Sequence, residues 1–301
     1  MNKRVFVVSG GRLDAYGWRG KLLEEPFTFT ADEPGFARFS LYLESEPRIP
    51  TYVLADVVEE EFREETIPYV RWPPDRRSAQ ALRLTRVFRD TTYGRSEPLG
   101  REASGRRDEQ VLFSALTRPE LLAPWVNQCL RHRLPLVGIY SVPTITRLLL
   151  KPIGAETAHA LIVSVQRSGG LRQSFFQDSK LKLSRLAVMP RVSRRAHASY
   201  VLGEVEKTRR FLNSMRMLPQ NSPLDVYLLG EYALLEEIRR QSPDSVTMRH
   251  NLLQLDDVTA RIGLKGHYDS RFADPVFVHL LARKSPPNQY GPPSQTRYYT
   301  M

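Results

Sequence analysis

Two glycine pairs carry what chemistry this chain could do. Ser9-Gly10-Gly11 follows the apolar run Val5–Val8, and Gly169-Gly170 follows Ala160–Val165. Glycines at such turns can aim backbone amides at an anion, with Ser9, Ser164 and Gln166 adding polar groups beside them. Gly230-Glu231 ends a third apolar run that starts at Leu224. Phosphate chemistry with Mg²⁺ needs oxygen ligands and a positioned water. The first two turns offer hydroxyls, an amide and Arg167, but no acid. A hydroxyl can bond to a phosphate or to a metal-bound water, yet it brings no negative charge. Neither pair lies in a P-loop pattern or in G-x-G-x-x-G. Hairpin turns explain both more simply.

Other chemistries find less support. The histidines are His132, His159, His197, His250, His267 and His279. None has a second ligand at metal-binding spacing, so no metal is expected. Cys129 shares a segment with Trp125 and Leu130 and reads as a small interior residue. A catalytic cysteine would need a positioned base, and no G-x-S-x-G elbow occurs. No catalytic residue is assigned.

The elements that would position these turns follow from pattern. Arg4–Ser9, Arg12–Trp18 and Leu22–Phe29 read as a β-meander turning at Gly10-Gly11 and Gly20. A helix is expected near Pro34–Leu43, with proline in its first turn. Tyr52–Val58 is a strand, Arg77–Phe88 has near-helical apolar spacing, and Gln110–Leu116 is a strand. Thr117-Arg-Pro-Glu120 reads as a capping box opening a helix that ends by Arg133. Pro135–Ser141 is a strand, followed by a short helix at Val142–Leu150. In the second half, Ala160–Gln166, Leu171–Phe176 and Leu181–Val188 are strands. Arg194–Met217 is a long helix whose stripe includes Tyr200, Val201, Val205, Phe211, Leu212 and Met215. Leu224–Gly230 is a strand and Leu234–Arg240 a helix. Val246–Arg249 reads as a short strand, Leu252–Ile262 as an amphipathic helix and Pro275–Ala282 as an apolar one. From Lys284 onward the Pro/Ser/Tyr-rich composition is that of an extended linker.

The chain has 301 residues, 41% hydrophobic and 26% charged, enough for two lobes of ordinary domain size. No apolar run reaches the roughly 18 residues a membrane span needs. The start is too short on apolar residues for a signal peptide. One cysteine excludes an internal disulfide, which agrees with a reducing compartment. A cytoplasmic location is therefore expected. The formal net charge is 44 − 33 = +11 and is uneven. Residues 179–216 hold ten Lys/Arg against two Glu, and residues 71–107 hold ten Arg against four acids. Glu59 to Glu65 is an acidic run, read as a solvated edge. Such a field favours anionic partners. Arg194, Arg195, Arg209 and Arg210 are the candidate anion-facing residues on the long helix. Tyr200 and Phe211 belong to its apolar stripe, so aromatic residues for stacking on bases are missing and nucleic acid is disfavoured.

The order of strand, hairpin, strand, long helix, strand, glycine, helix resembles the second half of an actin-like fold. With the Thr117–Arg133 helix leading into Leu136–Ser141, and with Ser168-Gly-Gly-Leu-Arg-Gln-Ser-Phe-Phe176 and Leu183-Ser-Arg-Leu186, the chain resembles the PilM-like proteins. It also resembles the cytoplasmic domains of GspL-type proteins. Both are actin-fold scaffolds of type IV pilus and type II secretion systems. The resemblance implies an α/β fold of two ribonuclease H-like lobes with mixed sheets flanked by helices. It places the first lobe at 1–155, the second at 156–284 and a Pro-rich tail at 285–301. In active members the two hinge turns carry aspartates and the adenosine turn two glycines. Here Ser9, Gly10, Gly11, Ser164, Gln166, Gly169, Gly170, Gly230 and Glu231 stand at those positions as a degenerate nucleotide cleft.

What the resemblance implies is a binding platform at the cytoplasmic face of the inner membrane. Its partners would be a membrane-anchored pilus or secretion peptide and an assembly ATPase. The partner surface is expected along the Phe39/Tyr42 helix, at Glu59, Glu60 and Glu61, and on the basic 71–107 region. No cofactor is expected, with weak ATP–Mg²⁺ binding left open. Two alternatives stand beside this reading. One is an active nucleotide-binding ATPase or kinase with unusual phosphate ligands. The other is a nucleic-acid or anionic-membrane binder using the basic faces. A homodimer and a membrane segment beyond residue 301 also stay open.

Overall fold

In the structure, a computed structural model that describes residues 2–89, 91–101, 108–168, 170–190, 193–242 and 247–291, β1 (Asn2–Ser9) is buried on both faces from Arg4 onward. That is why it reads as a continuous apolar run and not as an alternation. It pairs antiparallel with β2 (Arg12–Arg19) from Asn2↔Arg19 to Ser9↔Arg12. β3 (Leu22–Leu23) and β4 (Phe27–Thr30) both return onto β2. Asp32 caps α1 (Glu33–Ser45) by accepting from the Gly35 amide, one of the first-turn donors left without a helical partner. Gly35 is required there, because a Cβ would collide with the Thr30 carbonyl. α1 seats Phe39 against Phe6, Phe29 and Trp125, each with ring centroids 5.2 Å apart. β5 (Thr51–Ala55) then runs parallel to β1.

A small sheet follows that the sequence pattern did not announce. β6 (Glu60–Ile67), α2 (Pro73–Val87), β7 (Gly94–Arg101) and β8 (Glu109–Leu116) build it, with strands ordered β6-β8-β7 and antiparallel. The acidic run expected as a solvated edge is the edge strand of this sheet, with Glu61, Arg63 and Glu64 exposed. Its carboxylates are matched: Arg63 lies beside Glu61, Lys182 beside Glu64 and Arg83 beside Glu65. Ile67, Phe88, Val111, Phe113 and Ala115 form the core under α2.

The capping box is also corrected. The Thr117 hydroxyl donates to the Glu59 carbonyl at 3.1 Å, and Glu120 pairs with Arg118. A 3₁₀ turn at Pro119–Leu121 precedes α3 (Ala123–Arg131). The chain returns as β9 (Leu136–Ser141), parallel to β5, and ends the first half with α4 (Val142–Thr146) and α5 (Leu150–Ile153).

The second half repeats the strand order. β10 (His159–Val165), β11 (Gly170–Gln177) and β12 (Lys180–Val188) form an antiparallel meander. α6 (Arg194–Ser214) crosses back to β13 (Leu224–Gly230), parallel to β10, and α7 (Tyr232–Gln241) follows. β14 (Met248–Gln254) is longer than expected, because its whole length pairs with β13. α8 (Leu255–Ile262) therefore starts three residues later than the periodicity suggests. β15 (Lys265–Gly266) reaches over to pair with β3, and α9 (Asp274–Lys284) is the last helix. No helix among the described residues is long and apolar enough to cross a membrane.

Two sheets thus face each other, ordered β15-β3-β2-β1-β5-β9 (with β4 beside β2) and β12-β11-β10-β13-β14. α4, α5, α8 and α9 lie between them in one shared core, which includes Val7, Leu54, Ile145, Ile162, Leu229 and Phe277. α1 and α3 cover the outer face of the first sheet. α6 and α7 cover that of the second. The α6 stripe ends short of expectation: Phe211 and Met215 are exposed. Cys129 is buried as expected, and burial pushes its thiol up to about 12.

The tail is not free where the linker composition begins. Residues 285–291 run back over β9, and Tyr290 is fully buried and forms an antiparallel bridge with Ile139. A proline-rich composition describes how this segment behaves alone. It is silent about a sheet edge waiting elsewhere in the fold.

Candidate functional site

The β1–β2 turn and the start of β11 meet across a cleft of about 350 Å³ lined by Ser9, Gly10, Gly11, Asp56, Ser168 and Gly170. Four of the nine cleft positions read from the sequence line it: Ser9, Gly10, Gly11 and Gly170. Neither Gly10 nor Gly11 has a left-handed φ, and a Cβ on either would meet nothing within 4 Å. They leave open backbone facing the cleft. The Ser9 hydroxyl is buried and donates to the Arg12 carbonyl at 3.4 Å.

The second turn is turned inward. The Gln166 side-chain amide donates to Ser164 Oγ at 2.8 Å, and the Gln166 backbone amide donates to the Gly170 carbonyl. Gln166 is fully buried, and its Oε1 has no partner among the described residues. A Cβ at Gly170 would run into Leu186 Cδ1, so that side chain would have to shift. Gly169 lies outside the described residues. Gly230 closes β13, where a Cβ would make ordinary contact with Leu235 at 3.5 Å. Glu231 sits in extended conformation just before α7.

The strongest electrostatic feature of the cleft was not foreseen. Arg172, on β11, reaches across to Asp56, which follows β5. Its Nε and Nη2 donate to Asp56 Oδ1 at 2.9 and 2.6 Å, and Nη2 also donates to the Val57 carbonyl at 2.9 Å. Both side chains are 2% exposed. Asp56 Oδ2 has no hydrogen-bond partner among the described residues. Asp274, at the start of α9, accepts from the Arg167 amide at 2.7 Å. Burial first, then Asp56 and Asp14, push its carboxyl up to about 7. Asp14 is held by Arg12 and Thr28. Among the described residues, no three His, Cys, Asp or Glu side chains group closely enough to hold a metal ion. The signal for the pair was present but weak. An arginine inside β11, and an aspartate ending an apolar strand, each demand a partner if buried.

Two residues of the expected partner surface are interior, while Glu61 and most of residues 71–89 are exposed. Phe39 is fully buried, and Glu60 is buried at the start of β6; both are corrections. α1 turns its Phe39 stripe inward because that stripe is its only apolar face. Tyr42 is half-buried between Phe27 and Phe29, with the Arg4 guanidinium over its ring. Glu59 pairs with Arg118, and Glu61 is exposed. On the basic helix, Arg195 is exposed. Arg209 and Arg210 share Glu206. The Arg194 side chain is outside the described set.

A second site lies at the β9 edge. Tyr290 Oη donates to Glu60 Oε1 at 2.7 Å and lies within hydrogen-bond distance of Ser114 Oγ at 3.2 Å. It thereby joins the last segment to the small sheet. Burial pushes Glu60 up to about 7, against the pull of Arg172, Ser141 and Tyr290. Beside Tyr290 an open groove of about 170 Å³ runs along β9, walled by Tyr93, Val126, Leu130 and Ile139.

No family model matches the chain, and no curated protein sequence matches it. Solved structures do. The PilM–PilN type IV pilus biogenesis complex superposes with a TM-score of 0.61 at 15% identity, over 94% of this chain and 98% of that one. A Bacteroides thetaiotaomicron protein with an actin-like ATPase fold and unknown function gives 0.45 at 9% identity, over 86% and 95%. The cytoplasmic domain of EpsL, an inner membrane component of the Vibrio cholerae type II secretion system, gives 0.43 at 10% identity, over 95% and 94%. The chain has the two-lobed actin-like ATPase fold and, along nearly its whole length, is similar to the structure of the PilM–PilN complex.

Proposed function

We propose that this chain is a catalytically degenerate actin-like scaffold, a platform component of a pilus or type II secretion-like inner-membrane assembly that works by binding partner proteins. One observation carries the reading: Asp56, which lines the cleft, is held in a buried ion pair by Arg172. Phosphoryl transfer would need carboxylates there to share a hydrated magnesium ion. Asp56 is instead neutralised by a guanidinium from the opposite lobe. Ser164 is engaged by Gln166. This donor set does not fit a magnesium–phosphate group.

The same pair explains how a scaffold of this fold would keep its shape. Nucleotide would otherwise bridge the lobes; here a desolvated, charge-assisted contact and the shared core of α4, α5, α8 and α9 do so. The likeness to the PilM–PilN type IV pilus biogenesis complex supports a protein partner as the ligand. The open backbone at Gly10 and Gly11 favours a second reading, in which a nucleotide still binds through amides. Calorimetric titration with ATP, with and without Mg²⁺, decides between them. The scaffold reading expects no magnesium-dependent heat. Micromolar magnesium-dependent binding with phosphate release would overturn it.

A further inference from the structure

β9 is the last strand of its sheet, and its outer edge would present unpaired amides and carbonyls. The chain's own last described segment covers that edge, but as a poor strand. Only Tyr290 pairs through the backbone, donating its amide to the Ile139 carbonyl at 2.9 Å. The Ile139 and Ser141 amides are satisfied by side chains instead, Asn288 Oδ1 and Gln289 Oε1, each at 2.8 Å. Pro286 and Pro287 have no amide to extend the ladder. Gly138 makes room for this segment: a Cβ there would lie 2.7 Å from Asn288 Oδ1. The Tyr290 ring fills the seam between β9 and the small sheet, and the apolar groove beside it continues along the strand.

We propose that residues 286–291 are an intramolecular stopper on a peptide-binding edge. The occupant it holds off is an extended partner segment that adds antiparallel to β9 and places a tyrosine hydroxyl between Glu60 and Ser114. The stopper displays that chemistry in cis: an aromatic anchor with a hydroxyl, on a strand that pairs through its backbone. Strand addition gives affinity through main-chain bonds and specificity through such a pocket. A full strand would replace two side-chain substitutes with backbone pairs, so it can displace the stopper. The inference rests on the scaffold reading for the kind of partner, but not for the groove.

The test uses the full chain and a synthetic peptide of the stopper's own sequence, residues 285–291. Asn288→Ala/Tyr290→Ala empties the edge without touching β9, Glu60 or Ser114. A tethered segment competes at an effective concentration on the order of millimolar, so the peptide is added at less than about a tenth of that. The emptied variant is expected to show saturable shifts of the Ile139 and Ser141 amide resonances. The wild type is expected to show less than a tenth of that response, and the peptide with its tyrosine changed to alanine none. A folded variant that ignores the peptide, or a wild type that responds equally, overturns the proposal. If the double variant fails to fold, amide exchange of wild-type Ile139 and Ser141 decides. Exchange at least tenfold faster than for the β5 amides paired with β1 supports a stopper that lifts; exchange only through global unfolding overturns it. Failure of the scaffold reading would appear separately, as magnesium-dependent ATP binding.

Discussion

Arg172→Met should cost this protein about 4 kcal/mol, because the variant leaves Asp56 buried and charged without its counter-ion. The structure sets the size. Arg172 makes two bonds to Asp56 Oδ1 and one to the Val57 carbonyl, and neither side chain is more than 2% exposed. Water cannot replace the lost donors, and Asp56 Oδ2 already lacks one. Asp56→Leu alone should cost a similar amount by stranding the guanidinium. The double variant Arg172→Met/Asp56→Leu removes both charges and fills the space, so it should recover at least about 2 kcal/mol over the sum of the singles. Urea unfolding followed by far-UV circular dichroism measures all four proteins. Loss of Arg172 also removes the cation that holds Glu60 down. The Arg172→Met penalty should therefore be larger at pH 8 than at pH 5, where Glu60 is protonated. Single variants within about 1 kcal/mol of wild type would refute the reasoning, because that is the worth of an exposed pair. Strictly additive singles would refute it as well.

Glu60→Gln isolates a buried carboxyl whose titration is raised from 4.5 to about 7. The wild type keeps Glu60's full contribution below pH 4.5 and loses it as pH rises to 7, so Glu60→Gln should gain on wild type by about 3 kcal/mol across that window. A difference between the two proteins that does not change with pH would contradict this. The comparison cancels the opposite trend from buried His279, held at about 4. Gly170→Ala should destabilise by about 1–3 kcal/mol through overpacking against Leu186, with Leu186→Ala restoring part of the loss. Thermal melts of the single and double variants check this. A matched Gly230→Ala should change stability by less than about 1 kcal/mol, because its Cβ meets Leu235 at ordinary contact distance.

The sequence by itself determined the order of elements and the fold they make. β1, β10 and β13 are apolar runs ended by glycine turns, and α9 is mostly apolar from Pro275 to Ala282; these are local signals of strands and helices buried on every side. Of the nine cleft positions that the resemblance implied, Ser9, Gly10, Gly11 and Gly170 line one cleft. Only the tertiary structure decided the rest. β6 and β7 have too many charges to look like strands; they exist because β8 offers them an apolar partner. Phe39 went inward because α1 has one apolar face and the sheet needed it. Arg172 and Asp56 lie 116 residues apart, and nothing in either neighbourhood names the other. The last segment reads as a linker until β9 supplies an edge and Glu60 a hydrogen-bond acceptor. Period and turn chemistry act over a few residues and are legible along the chain. Charge pairing and edge covering act between elements and come into being only when topology brings them together.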